Sequence, residues 1–445
     1  MGVPPLELVM GLEVYGTRSP GIGGRIRQVP EDFVVREVLS DGSVAPLGPG
    51  PGPPGGSGSF LLCSLVKKGL DTLKAVGILA KRLGIPEGLV DFLGLKDARA
   101  LTAQFITVRG VRPGELGELR PGELYVFPLK FRRKPLEPRE LVANEFSIRI
   151  RGLKLDEAAL AGRLDQLLSE LEEAGGLPNF FGHQRFGTAR PITHLVGREI
   201  VRGDVRRAVE LFLAHPSPWE GPRAREARSY LSGTWDLKGF LELLPRPFYY
   251  EHLMARHLLR KPSDYHGALR LLPLRLRRLF VQAYQAYLFN RFLSRRLREG
   301  MPLGRAGPGD WVLELDEHGL PTGRARKARR EMALGPGQAL GLPLPGFRQE
   351  LSSGRQGEIE KEVLEEEGIR PEDFRVRSMP ELASPGQLRP ASVGLKLLSG
   401  PVLREDGLNP GCSALEMSFR LPRGSYATVF LRELMKPSDL LASGF

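Results

Sequence analysis

The chain has 445 residues, 41% of them hydrophobic and 26% charged, and a formal net charge of +12. At roughly 150 residues per domain this length predicts two or three domains, and a basic balance of that size points to polyanionic partners rather than to a fold. Nothing approaches the ~18 apolar residues of a membrane span, the first residues lack the pattern of a secretory signal, Leu6 stands where a myristoylation signal needs Ser or Thr, and Cys63 and Cys412 are too few for a disulfide framework or a zinc site; a soluble, cytoplasmic protein without membrane contact is expected.

In chain order, residues 6–15 read as a strand, and residues 33–38 as another after the turn-forming Val29-Pro30. Residues 46–59 (PLGPGPGPPGGSGS) are rich in Gly and Pro, and predict an exposed, flexible loop. That loop lacks the Gly-Lys-Ser/Thr ending of a phosphate-binding P-loop. Residues 60–66 predict a strand. Asp71 then caps a helix whose apolar face is Leu73, Val76, Ala80 and Leu83, ended by Gly84 and Pro86. Strands follow at 90–95, 104–109, 123–129 and 144–151. Asp156 opens a long helix with Leu160, Leu164, Leu167 and Leu171 on one face, stopped by Gly175-Gly176. From about 195 to 385 the texture is helical and studded with Arg; the clearest helix runs over 278–299, with Phe280, Tyr284, Tyr287, Leu288 and Phe292 at helical spacing. Residues 415–421 alternate as a strand does, and a turn at 422–424 leads into a short helix over 428–435. Strands and helices without regular βαβ alternation predict an α+β fold rather than a doubly wound sheet.

The seven histidines form no metal-ligand spacing, and no G-x-S-x-G elbow marks a hydrolase. Three segments carry groups suited to chemistry. In Gly94-Leu95-Lys96-Asp97-Ala98-Arg99-Ala100-Leu101-Thr102-Ala103-Gln104, a strand delivers Lys96 and Asp97 to a loop with Arg99 two residues on. A carboxylate among cations stays ionised and can act as nucleophile or general base; the same Asp97 can also simply cap a turn. Pro178-Asn179-Phe180-Phe181-Gly182-His183-Gln184-Arg185-Phe186-Gly187 offers rings to stack on, amides to read a base edge and Arg for phosphate, or else a buried aromatic turn. Leu421-Pro422-Arg423-Gly424-Ser425-Tyr426-Ala427-Thr428 clusters polar groups at a helix start, which serves phosphate binding or capping.

These segments, in this order, resemble the TruD family of pseudouridine synthases, of the archaeal type. Ile26-Arg27-Gln28-Val29-Pro30-Glu31-Asp32-Phe33 resembles the family's N-terminal block, and Asn144-Glu145-Phe146 and Ala283-Tyr284-Gln285-Ala286-Tyr287-Leu288-Phe289-Asn290 match further blocks, so the likeness spans residues 26–434. The resemblance implies a pseudouridine-synthase catalytic domain with a mixed, largely antiparallel sheet, built from residues 1–197 and 386–445. It implies an inserted, helix-rich α+β domain over 198–385 that faces it across an RNA-binding cleft. It implies Asp97 as the catalytic residue, with Asn179 and Phe181 in the active site. The N-terminal block usually has Lys three residues before the Pro; here Arg27 keeps the charge but not the geometry. Ala143 replaces a Gly usual before Asn144. The implied activity is isomerisation of uridine to pseudouridine in tRNA, most specifically at position 13. It is neither a redox step nor a group transfer, so no cofactor and no metal are expected, and no obligate protein partner.

RNA contacts are expected from basic clusters: Arg324, Arg326, Lys327, Arg329 and Arg330; Arg275, Arg277 and Arg278; and Arg132, Arg133 and Lys134. The competing readings are the same chemistry on another RNA, and an RNA-binding protein without catalysis.

Overall fold

The computed structural model describes residues 2–50 and 53–445. A ten-stranded sheet takes its strands from residues 33–153 and 396–422: β1 (Phe33–Leu39), β2 (Gly55–Gly56), β3 (Phe60–Lys68), β4 (Val90–Phe92), β5 (Leu101–Arg109), β6 (Gly117–Arg120), β7 (Leu124–Arg132) and β8 (Leu141–Leu153), then, after β9–β16 given below, β17 (Lys396–Glu405) and β18 (Ser413–Pro422). Its order is β17-β18-β8-β1-β5-β3-β7-β2, with β4 beside β5 and β6 beside β7. β1 runs parallel to β5 and antiparallel to β8. The fold is therefore α+β with a mixed, largely antiparallel sheet, as the order of elements suggested.

The register shows which face the helices cover. Cys63 lies opposite Ile106 in the β3–β5 pair, and Lys67 opposite Thr102. Thr102 aligns with Val35 of β1, which aligns with Phe146 of β8, which aligns with Phe419 of β18. Side chains alternate along a strand, so these residues share one face. Over its β3 side lies α2 (Thr72–Leu83), packed through Ala75, Val76 and Leu79 on Cys63, Ile106 and Val108. Over its β8–β18 side lie α3 (Glu157–Ala174) and α12 (Ala427–Met435), with Leu160, Leu164, Leu167 and Leu171 in the same core as Phe146 and Phe419. Phe430 of α12 meets Phe419 edge-on, ring centroids 4.8 Å apart.

Asp71 and Asp156 cap α2 and α3, accepting from Lys74 N at 2.9 Å and Ala159 N at 2.7 Å; Gly84 and Gly175 end them in the left-handed conformation. The buried face of α2 differs from the one expected. Thr72, Ala75, Val76, Leu79 and Ala80 are inside and Leu73 is 52% exposed, because the small residues let the helix lie close on β3 and β5.

The largest departure is at the N-terminus. The strand expected over residues 6–15 is instead α1 (Pro5–Val9) followed by irregular chain. Pro5 suits a first helical position. The buried Glu7 is tied to Arg432 and His183, at 2.7 and 3.1 Å. A pairing with α12 thus overrides the local apolar pattern.

Between β9 (Leu177–Pro178) and β15 (Gln387–Pro390) the chain forms a run of helices: α4 (Thr193–Arg202), α5 (Val205–Ala214), α6 (Pro222–Thr234), α7 (Leu237–Leu243), α8 (Tyr249–Arg260), α9 (Tyr265–Arg270) and α10 (Leu274–Arg298). A four-stranded sheet, β12-β11-β14-β15, follows from β11 (Trp311–Leu315), β12 (Pro321–Lys327) and β14 (Gln338–Leu344), with α11 (Gly354–Glu366) before β15. Two short pairs, β10 (Arg305–Ala306) with β13 (Met332–Ala333) and β9 with β16 (Ser392–Val393), complete the list. Within the expected loop at 46–59, β2 pairs with β7; Pro51 and Gly52 of that loop lie outside the described residues. No helix among the described residues is long and apolar enough to cross a membrane.

Candidate active site

Between the two helix-covered halves, the shared face turns polar. Phe33, Val35 and Glu37 alternate inward along β1, as do Leu61, Cys63, Leu65 and Lys67 along β3. Glu37, Lys67, Thr102 and Gln104 are all fully buried. Buried polar groups need partners, and Glu37, Lys67 and Gln104 find theirs in a single loop, residues 93–100, which carries Gly94-Leu95-Lys96-Asp97.

The loop is braced at several atoms. Lys67 Nζ donates to Leu70 O at 2.7 Å, Asp97 O at 2.9 Å and Lys96 O at 3.3 Å. Burial pulls its amine down to about 8, against the pull of Asp97 in the other direction. Thr72 Oγ1 accepts from Lys96 N and donates to Gln104 Oε1, each at 2.9 Å, while Gln104 Nε2 donates to Gly94 O at 3.2 Å. Lys96 Nζ pairs with Glu37 Oε1 at 2.6 Å, and the other oxygen of Glu37 accepts from Phe105 N at 2.8 Å.

Asp97 stands at the end of this scaffold. Its Oδ1 accepts from Arg99 N at 3.0 Å, and its Oδ2 meets Arg27 Nη2 at 2.9 Å. The carboxylate side chain is 30% exposed and the guanidinium side chain 4%, so the acid is reachable and its partner is not. Arg27 stacks on Phe33, Cζ 4.0 Å from the ring centroid, and donates from Nη1 to Gly444 O at 3.2 Å. Burial lowers its pKa, and Asp97 opposes that. Arg27 takes φ 58°, rare for a residue with a Cβ. Its neighbours hold it there: Arg25 bridges to Arg151, and Ile26 N donates to Ser443 O at 3.0 Å. Gly444 makes this possible, since a Cβ there would collide with the Ile26 carbonyl oxygen.

Asn179 and Phe181 form a second cluster. Asn179 Nδ2 donates to Pro390 O at 3.0 Å, and its Oδ1 accepts from Arg389 Nη2 at 2.7 Å. The Phe181 ring meets Phe289 edge-on at 5.6 Å and Tyr426 at 6.0 Å, with Arg389 Cζ 4.1 Å from its centroid. Asn290 fixes its backbone, accepting from Phe181 N at 2.8 Å and donating to Phe181 O at 3.1 Å. Gly182 permits close approach to α12, because a Cβ would crowd Thr428 Oγ1 and Tyr426. The C-terminus links the two clusters: Gly444 holds Arg27, and the next residue, Phe445, meets the His183 ring edge-on at 5.5 Å.

The 178–187 and 421–428 segments thus pack together, and the C-terminal residues connect them to the Arg27–Asp97 pair. The remaining basic candidates lie elsewhere. Arg324, Arg326 and Lys327 sit on β12, an edge strand, with Arg329 and Arg330 exposed just beyond it. Lys327 lies 4.9 Å from the Trp311 ring centroid. Arg132, at the end of β7, pairs with Glu140 at 2.7 Å, and Arg133 is exposed beside it. Arg277 is bound to Glu381 at 2.8 Å. A cavity of about 810 Å³ runs along the ends of β8 and β18, lined by Ala143, Leu177, Val393 and Leu421 among others; none of Arg27, Asp97, Asn179 and Phe181 lines it. Among the described residues no group of three or more His, Cys, Asp or Glu side chains could hold a metal ion.

Sequence reasoning did not single out Glu37, Lys67 or Arg389. Strand alternation points to the first two, as charged residues at inward positions. Nothing local marks Arg389.

A family model described as tRNA pseudouridine synthase D (TruD) matches residues 9–434. A protein of Methanosarcina mazei named "Probable tRNA pseudouridine synthase D" is 37% identical over 451 residues, covering 100% of both chains. One of the same name from Methanopyrus kandleri is 43% identical over 389 residues, covering 87% of this chain and 88% of its own. The crystal structure of a TruD protein from Methanosarcina mazei superposes with a TM-score of 0.79 at 35% identity, covering 98% of this chain and 99% of the other.

Proposed function

This chain belongs to the TruD family of tRNA pseudouridine synthases, and from that premise we propose that it isomerises uridine 13 of tRNA with Asp97 as its catalytic residue. The observation that carries the assignment is the Asp97 carboxylate itself: solvent-reachable, 2.9 Å from a buried guanidinium, on a loop braced at several atoms. The isomerisation breaks the N1–C1′ bond of the nucleoside, turns the uracil and joins C5 to C1′. C5 gives up a proton and N1 gains one, so the atoms balance without a donor or an oxidant. A positioned carboxylate serves such an exchange as nucleophile or general base. The uracil has to leave its stack to reach Asp97, and Phe181, backed by Phe289 and Tyr426, is the ring proposed to receive it. Asn179, oriented by Arg389, supplies amide groups for its edge. Arg27 holds the catalytic carboxylate in place. We read residues 198–385 as the inserted unit that closes on the RNA from the other side, with the Arg-rich β12 edge among its phosphate contacts.

The test is pseudouridine mapping on an unmodified tRNA transcript, by carbodiimide adducts and reverse-transcription stops. A stop reporting position 13 with wild type and none with Asp97→Asn is expected. A stop at another position, or on another RNA only, refutes the choice of target. No stop on any RNA by a folded protein that binds RNA refutes the catalytic reading.

A further inference from the structure

Buried guanidiniums in this protein have acidic partners almost without exception. Arg151 meets Asp32 and Asp406, Arg228 meets Glu220 and Glu251, Arg296 meets Asp310, and Arg432 meets Glu7 and Glu433, all within 3.1 Å. Two half-buried arginines at Phe181 have no such partner. Arg389 bonds only neutral oxygens: Asn179 Oδ1 at 2.7 Å, Gly424 O at 3.0 Å and Asn179 O at 3.2 Å. Arg185 bonds Gln282 Oε1 at 3.2 Å, and its Nε is buried without a partner. Their guanidinium carbons lie 4.1 and 5.8 Å from the centroid of the same Phe181 ring. Among the described residues neither has a carboxylate at ion-pair distance.

Partly dehydrated cations without an anion are unfavourable, and a planar guanidinium matches a phosphate in charge and geometry. We infer that Arg185 and Arg389 form a phosphate-binding pair at Phe181 that takes the RNA backbone linkage beside the flipped uridine. The inference rests on the reading of this chain as an RNA-modifying enzyme and adds to it the group that anchors the substrate strand. Two further features agree. The α12 helix begins at the same place, with Tyr426 as its N-cap and no side chain capping it, so its positive end faces the site. Burial lowers the pKa of both guanidiniums, that of Arg389 to about 10, and Tyr426 opposes this in each.

The test uses Arg185→Gln, because Arg389 also orients Asn179. Binding of unmodified tRNA transcript is measured across a salt series with wild type and variant, each checked for native circular dichroism. Loss of one phosphate contact makes the log–log salt slope shallower by about 0.7–0.9. A second tRNA carries one neutral methylphosphonate linkage 5′ or 3′ to the modified uridine. Wild type is expected to bind one of these isomers several-fold more weakly than the all-phosphate tRNA, and this penalty to shrink in Arg185→Gln, which keeps Arg389. An unchanged salt slope in Arg185→Gln, or a methylphosphonate penalty that persists in full in the variant, overturns the inference. Turnover by wild type on the unmodified tRNA is the internal control: its absence sinks the functional reading, whereas an unchanged slope beside normal turnover sinks the phosphate pair alone.

Discussion

Asp97→Asn should do more than stop turnover: it should also expose an electrostatic debt in the folded protein. The substitution keeps the side-chain shape and an oxygen for Arg99 N, but leaves Arg27 without its anion. Arg27 cannot turn to water, since its side chain is 4% exposed, stacked on Phe33 and bonded to Gly444 O. Removing one member of a fully buried pair costs about 3–5 kcal/mol. Asp97 is 30% exposed, so water already screens part of the interaction, and about 1–2 kcal/mol is expected. In Asp97→Asn/Arg27→Met the unpaired cation is gone, so the double variant should be more stable than the sum of the single losses. A coupling energy of about 1 kcal/mol is expected from urea unfolding of wild type, both single variants and the double variant at pH 7. It should persist in part at high salt, because buried pairs are screened less than exposed ones. A coupling below about 0.3 kcal/mol, within ordinary additivity, would mean that the pair does not hold the loop electrostatically.

Two other outcomes follow from the buried groups. Lys67→Met removes a fully buried donor to two carbonyls of the Asp97 loop, those of Lys96 and Asp97, and to the Leu70 carbonyl in the turn after β3. Turnover of tRNA should fall roughly 10- to 100-fold, as for a small misplacement of a reacting group, while the dissociation constant for tRNA stays within about twofold; an unchanged kcat would show that Lys67 does not position the loop. His194 is buried against Tyr287, ring centroids 4.9 Å apart, and burial pushes its pKa down to about 3. The unfolded chain takes up this proton near the ordinary histidine value of about 6.5 and the native one does not, so stability is lost as pH falls from 6.5 toward 3. The loss from this residue should reach about 2 kcal/mol at pH 5, and His194→Phe should not show it. Parallel unfolding curves at pH 7 and pH 5 for wild type and variant would contradict the burial argument.

Much of the fold could be read from local chemistry. The caps Asp71 and Asp156, the stop glycines and the leucine stripe of α3 act over one or two turns of chain, and they stand where the residues predict. The segment around Asp97 stood out as a candidate, with a carboxylate, two cations and a strand within 11 residues, although the same residues also suit a capped turn. Alternation along β1 and β3 could even have shown Glu37 and Lys67 turning inward.

The rest depended on partners distant in sequence. Residues 6–15 have an apolar pattern that fits a strand, and distant partners, His183 and, more than 400 residues away, Arg432, decide that Glu7 is buried in a helix. Leu73 belongs to the apolar stripe of α2 by spacing, yet the close approach of small residues to the sheet turns it outward. With 50 arginines among 64 basic residues, composition cannot say which are neutralised. That is a property of the folded surface, where Arg27 finds Asp97 and Arg296 finds Asp310 while Arg185 and Arg389 find only neutral oxygens. Local sequence therefore determined most of the elements and singled out the Asp97 loop as a candidate, because backbone preference and capping act over a few residues. Tertiary structure decided burial and charge pairing, because both are set by which distant groups displace water.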